Sequence, residues 1–286
     1  MWGLFPLYWP LLKPAGAVEI LAHRIVWSLV ATAVLIVVLK RSSRLRVVLA
    51  TPRTRAILTI AAIVIAVNWG TYIWGVNNDH VVEASLGYFI NPLVTVTMGV
   101  LVLGERLRRL QWVAMGLATV AVVGLTIEYG RPPWVALVLA FSFGTYGLAK
   151  KKANTGAVES LTVETLVLTP VAIGYLLWLM GQGTSTFGHQ GVGHLALIMG
   201  TGVVTAIPLI CFGAAATRVS MTTLGMLQYL APTIQFALGV FLFHEPMPAM
   251  RWVGFALVWV ALAIFTVETV NHRRRQLQLT AEASAI

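Results

Sequence analysis

Ser85, Tyr88, Asn91 and Thr95 follow one another at steps of three, three and four within a run that is otherwise apolar. On an α-helix this spacing places all four on one face. Adding 140 to each number lands on Gly225, Gln228, Ala231 and Gln235, in a second apolar run. Amides, phenols and hydroxyls make hydrogen bonds rather than break covalent ones, so their chemistry is binding. Facing lipid they would be costly, so such a stripe must face a cavity or another helix. The pattern predicts a pore between the two segments, with Tyr88, Asn91, Thr95, Gln228 and Gln235 against the solute. Pro92 and Pro232 interrupt the paired segments at matching places. Each removes a backbone donor and frees the carbonyl four residues back, that of Tyr88 or Gln228.

Asn68, Trp69 and Tyr72 extend the candidate site on a neighbouring segment, with Tyr146 and Tyr229 as further amphipathic members. A wall of aromatics and amides that is short of charge suits a neutral, zwitterionic or amphipathic solute better than a multivalent ion. The competing reading is that these groups tie helices together, because interhelical hydrogen bonds are common in membranes. Glu19, His23 and Arg24 form the charged set, and Glu164 stands at the 140 offset from Arg24. They are candidates for gating or proton coupling, against the alternative of an Arg that snorkels and an interfacial Glu. Glu105 and Glu245 recur at the same offset and are expected to serve as helix-end structural residues. Ala136, Ala140 and Gly144 form a small-residue ladder that permits close helix packing.

The elements that position these residues are membrane helices. Of 286 residues, 58% are hydrophobic and 10% charged, with a mean hydropathy of +0.83. Soluble domains carry about a quarter charged residues, so a soluble fold is excluded. Apolar runs near the ~20 residues that cross a bilayer lie at 17–39, 56–76, 82–103, 110–128, 133–149, 158–180, 194–216, 221–243 and 251–270. Met1 to Leu12 is too short to span and reads as the surviving end of a first helix. Ten crossings with both termini in the cytoplasm place sixteen of the twenty Lys and Arg on the cytoplasmic side, at 40–55, 106–109, 150–152, 218 and 273–275. The net charge of +10 is therefore a topology signal, and no nucleic-acid partner is expected.

At the 140 offset, Val81–Glu128 aligns with Met221–Glu268 without a gap and with eleven identities, and Gly16–Glu19 repeats as Gly156–Glu159. The expected architecture is an all-α membrane protein of ten transmembrane helices. Residues 1–130 form one five-helix repeat, 131–271 form a second, and 272–286 form a basic cytoplasmic tail. Five is odd, so the second repeat enters the membrane inverted. Inverted repeats around a midplane site are the architecture of alternating-access transport. The mate of Pro133 would lie before residue 1, so about seven residues of the first helix are expected to precede Met1.

Asn68-Trp69 followed by Tyr72-Ile73-Trp74, then Ala84 to Leu93 (ASLGYFINPL), and Gln228-Tyr229 with Ala231-Pro232-Thr233 resemble the EamA branch of the drug/metabolite transporter superfamily, within it the RarD type. The resemblance implies a ten-helix permease of the cytoplasmic membrane and an association with chloramphenicol sensitivity. Family members carry a complete first helix, which is where this chain departs.

Other functions lack their motifs. No GxxxxGK[ST] phosphate loop occurs, so transport would be gradient-driven or facilitative, coupled to a proton or to an exchanged solute. His244-Glu245 has no second His at HExxH spacing, and Ala140-Phe-Ser142-Phe-Gly144 lacks the first glycine of a nucleophile elbow, so no catalytic residues are expected. Cys211 is alone and cannot found a disulfide or a thiolate metal site; neither metal nor cofactor is expected. The remaining alternative to a transporter of a small polar or amphipathic metabolite or drug is a membrane sensor or scaffold with the same fold.

Overall fold

A computed structural model describes residues 1–78, 81–129, 133–242 and 249–284, all of them in helices and connecting turns. After three short turns come α2 (Ala17–Val38), α3 (Ser42–Ala50), α4 (Pro52–Asn77), α5 (Val81–Leu103), α6 (Arg109–Tyr129), α7 (Trp134–Ala153), α8 (Ala157–Gly181) and α9 (Gly191–Arg218). Then α10 (Met221–Gln228), α11 (Leu230–Ala237) and the π-helical turn Leu238–Leu242 follow almost in line, and α12 (Ala249–Ser284) ends the chain. Among the described residues seven helices are long and apolar enough to cross a membrane, counting Met221–Leu242 as one. The expected spans at 110–128 and 133–149 are helical but shorter in their apolar parts. That of α6 is Arg109–Gly124, and α7 ends in three lysines.

Three local differences from the sequence expectation have plain causes. Met1 to Leu12 is a 3-10 turn (Trp2–Leu4), a single α turn, α1 (Phe5–Tyr8), and a second 3-10 turn (Trp9–Leu12), rather than the end of one regular helix. Pro6 and Pro10 start the second and third turns, because each lacks the N–H that would continue the previous one. The basic stretch after α2 contains a helix, α3, whose Leu45, Val48 and Leu49 pack against Leu58 and Val163. The basic C-terminal stretch continues α12 to Ser284, since His272 to Ser284 contains neither Gly nor Pro to stop it.

The helix contacts repeat at the 140 offset. α2 packs on α8, α5 on α10 and α6 on α12, and each of these pairs maps onto itself. α2 against α9 is matched by α8 against α4, α4 against α7 by α9 against Trp9–Leu12, and α5 against α7 by α11 against Trp2–Leu4. The N-terminal turns therefore occupy the place that α7 holds in the other set.

Close approach depends on missing side chains, as expected where lipid offers helices no hydrophobic incentive to associate. A Cβ on Gly87 would lie 3.1 Å from that of Leu139 and 3.3 Å from the backbone of Ala136. One on Gly144 would lie 3.0 Å from Val94 Cγ1, so the small-residue ladder of α7 is its seam with α5. Gly225 lets α10 cross α5 at Pro92, whose carbonyl oxygen would be 2.9 Å from a Cβ there.

Candidate solute-binding site

A cavity of about 280 Å³ lies where the first turns of the chain meet α2, α4, α5, α7, α9 and the α10–α11 junction. It is at the small end of the range for small-molecule sites. Asn68, Trp69, Tyr72, Tyr88, Asn91, Gln228 and Gln235 all line it. Leu139 and Phe143 from α7, and Thr205 and Leu209 from α9, complete the far wall.

The polar groups are held by one another. Asn68 Nδ2 donates to Leu139 O and to Ser142 Oγ, both at 2.9 Å, fixing α4 to α7. Asn91 Nδ2 donates to Gln228 Oε1 at 2.6 Å, which joins the two symmetric stripes directly. Gln228 Nε2 is buried with no hydrogen-bond partner among the described residues. The rings of Tyr72 and Tyr88 meet edge to face, with centroids 6.2 Å apart. Gln235 Nε2 makes a long contact of 3.4 Å to Trp2 O. Pro92 is accommodated within a continuous α5, whereas the helix bearing Pro232 breaks at Tyr229.

Thr95, Tyr146 and Tyr229 do not line the cavity. Thr95 is fully buried, with Oγ1 3.5 Å from Asn91 Oδ1. Tyr229 is fully buried in the core and donates to Phe89 O at 3.2 Å. Tyr146 is also fully buried and donates to Glu164 Oε2 at 3.0 Å. For each, helical spacing identified a polar residue on an apolar helix but not which neighbour covers it. The side chain of Ser85 and residue Glu245 lie outside the described residues.

The four charged candidates separate into three places. Arg24 lies in the cavity wall, its Nε donating to Thr205 Oγ1 at 3.0 Å and its guanidinium 4.8 Å from the ring centroids of both Trp9 and Trp69. Glu164 is paired with Lys150 at 2.5 Å, in a buried cluster with Ser160 and Tyr146. The sequence places Lys150 among the cytoplasmic loop lysines, but it folds back from the last turn of α7 to reach α8 and is 2% exposed. Glu19 accepts from Thr186 N at 2.8 Å and Ser185 Oγ at 3.1 Å, and His23 stacks on Phe187 with centroids 4.6 Å apart. Both therefore anchor the α8–α9 connection to α2, away from the cavity.

Between the cavity and the Lys150–Glu164 pair lies an aromatic layer. Phe143, at the cavity wall, packs against Phe212 at 5.1 Å and Tyr146 at 5.8 Å, and Tyr146 and Phe212 stack nearly parallel. Trp2 closes it from the N-terminal turns, 5.4 Å from Phe143 and 5.5 Å from Phe212. Glu105 holds the far end: its carboxylate accepts from Met221 N at 2.6 Å, Thr222 N at 2.9 Å and Thr222 Oγ1 at 2.7 Å, capping α10. Its sequence-predicted helix-end role is thus across the interface, on α10 rather than on its own helix.

The model of the EamA-like transporter family matches residues 1–127 and again residues 132–267. The chain belongs to this family. It is similar to Protein RarD of Streptomyces exfoliatus, with 61% identity over 287 residues that cover 100% of this chain and 91% of the relative. It is also similar to an uncharacterized transporter of Pseudomonas aeruginosa, at 44% identity over 275 residues, 96% of this chain and 92% of the relative. A solved crystal structure aligns with a TM-score of 0.70 at 17% identity, over 93% of this chain and 92% of that one, which shows the shared fold. The chain is a RarD-like, multi-pass membrane transporter of the drug/metabolite type.

The sequence reading missed Trp2, Phe5, Pro6 and Trp9 as cavity residues. Their signal was available in the offset, which sets the N-terminal turns opposite α7. It also missed Thr205 and Leu209, which carry no polar periodicity.

Proposed function

We propose that this chain is a secondary transporter that moves a small polar or amphipathic metabolite or drug by alternating access. It would work as ten membrane helices in two inverted repeats, residues 1–130 and 131–271, with the basic stretch 272–286 as a cytoplasmic extension. Both termini would lie on the cytoplasmic face of the cytoplasmic membrane. The observation that carries this reading is the placement of the cavity. It lies where the Tyr88–Asn91 face meets Gln228–Gln235, at the seam between the two pseudo-symmetric helices.

The mechanism follows from the asymmetry of a symmetric frame. The 140 offset maps Arg24 onto Glu164 and Tyr72 onto Phe212. In the positive-inside orientation the cavity belongs to the outer half, and the equivalent region of the inner half is filled by Phe212, Tyr146 and the Lys150–Glu164 pair. Rocking one repeat against the other would part this inner layer and close the outer walls on the solute. The Lys150–Glu164 pair is a dry ionisable pair in a membrane segment, the type of group that couples a proton or a conformational change to transport.

Counterflow of radiolabelled amino acids, small metabolites and amphenicols into proteoliposomes tests the reading. Uptake that is lost in Tyr88→Ala and Gln228→Ala, with folding preserved, supports it. A solute that binds the purified protein without flux would identify a sensor built on a transporter fold.

A further inference from the structure

We infer that the transported solute carries a carboxylate, and that Arg24 is the residue that receives it. The inference rests on reading the cavity as the solute site. Arg24 is the one charged side chain among the residues that line the cavity, and the lining includes no Asp or Glu. It has no carboxylate partner among the described residues; its Nε is held by Thr205, which leaves the terminal amino groups free of an anion.

Trp9 and Trp69 flank the guanidinium and fix its position, but a ring face attracts a cation without neutralising it. An unpaired charge in a membrane segment is expensive and marks a substrate pathway. The neighbouring polar group adds a second donor. Gln228 commits its oxygen to Asn91, and its buried Nε2 has no partner among the described residues. Arg24 and Gln228 therefore present donors in a wall whose lining residues include no carboxylate.

A planar fork of N–H groups matches a carboxylate in two-point geometry, which a neutral solute cannot reproduce. The rest of the wall sets the body of the solute. Phe5, Phe143 and Leu209 make it apolar or aromatic, and about 280 Å³ keeps it small. The solute class is a small apolar or aromatic carboxylic acid, with or without an amino group.

The full chain in nanodiscs is titrated with 3-phenylpropanoate, 3-phenylpropanamide, 3-phenylpropylamine and phenylalanine. Chloride and sulfate serve as inorganic anions, and a neutral amphenicol as the uncharged drug. Tryptophan fluorescence reads occupancy directly because Trp9 and Trp69 hold Arg24, and thermal unfolding reads the linked stabilisation. The acid is expected to bind roughly tenfold or more tighter than its amide, the difference made by a charge-assisted pair. Arg24→Gln should erase the acid-to-amide ratio and Arg24→Lys should restore part of it. The wild-type ratio stands alone as a test if the variants do not fold.

An amide, amine or amphenicol that binds as tightly as the acid overturns the inference, and so does a fluorescence change that chloride or sulfate reproduces in full. Absence of binding by every probe also overturns it. Counterflow separates this from the transport reading: flux of neutral compounds alone sinks the carboxylate and keeps the transporter. Acid binding without any flux keeps the Arg24 site and sinks transport.

Discussion

Breaking the Lys150–Glu164 pair should cost more stability than any other single change to a polar group in the bundle. Lys150 Nζ lies 2.5 Å from Glu164 Oε1 and 2.7 Å from Ser160 Oγ, and Tyr146 donates to the other carboxylate oxygen at 3.0 Å. Both charges are 2% exposed, so neither can be re-solvated in place when its partner goes. Glu164→Ala leaves an ammonium and a phenol without their acceptor, and the expected loss is about 3–5 kcal/mol. That lowers the folded-to-unfolded ratio by roughly two to more than three orders of magnitude. Lys150→Met strands the carboxylate, though Ser160 and Tyr146 still donate to it, so its loss should sit at the lower end of that range. The double variant Lys150→Met/Glu164→Met removes both charges at similar volume. It should recover most of the stability, because replacing a buried pair with apolar residues is often neutral or stabilising. Unfolding in mixed detergent micelles, followed by far-UV circular dichroism, measures all four corners of the cycle. Losses that simply add in the double variant would refute the reasoning, since they would mean that each charge reaches water or headgroups independently.

Glu105→Ala should lower the unfolding midpoint by an amount that corresponds to about 0.5–2 kcal/mol, the worth of a helix N-cap, because Met221 and Thr222 N–H lose their acceptor. Gly225→Val should weaken solute binding as well as stability. Its side chain would meet Pro92 O and Val96, both within 2.9 Å of the first added carbon, and force α10 away from α5. A Gly225→Val protein with wild-type midpoint and affinity would show that the crossing is not tight. Glu19→Ala should expose the 182–190 connection to limited proteolysis while costing about 1.5–3 kcal/mol, through the loss of charged hydrogen bonds to Thr186 and Ser185. An unchanged cleavage rate would assign the anchoring to His23 and Phe187 alone.

Much of the cavity lining was legible because its residues are polar in segments where polarity needs a reason. Asn68, Tyr72, Tyr88, Asn91, Gln228 and Gln235 were found by spacing and offset, and all line the cavity. The same criterion selected Tyr146, Tyr229 and Thr95, which are buried against other helices. Periodicity fixes a direction around one helix axis, but the identity of the neighbour in that direction depends on crossing angle and on residues far away in the chain.

The charges show this limit most clearly. Arg24 and Glu164 are related by the offset and were treated as one kind of feature. Yet one faces a cavity between two tryptophans, and the other is sealed by a lysine from the end of α7. Lys150 has Pro10 as its mate, so the ionisable pair of the second repeat has no counterpart in the first: Arg24 would need an anion there, and Pro10 supplies none.

The sequence by itself determined that this is a helical membrane protein with an internal duplication and a polar stripe in each copy. These properties follow from composition, run length and spacing, all of which are local or additive along the chain. Only the tertiary structure decided which polar residues share a cavity, that the first twelve residues close it, and that Glu105 caps a helix in the other half. Those outcomes depend on contacts between residues separated by more than a hundred positions, such as Glu105 with Met221 and Asn91 with Gln228. Such contacts form only where glycines at the crossings let the backbones come close enough for the side chains to meet.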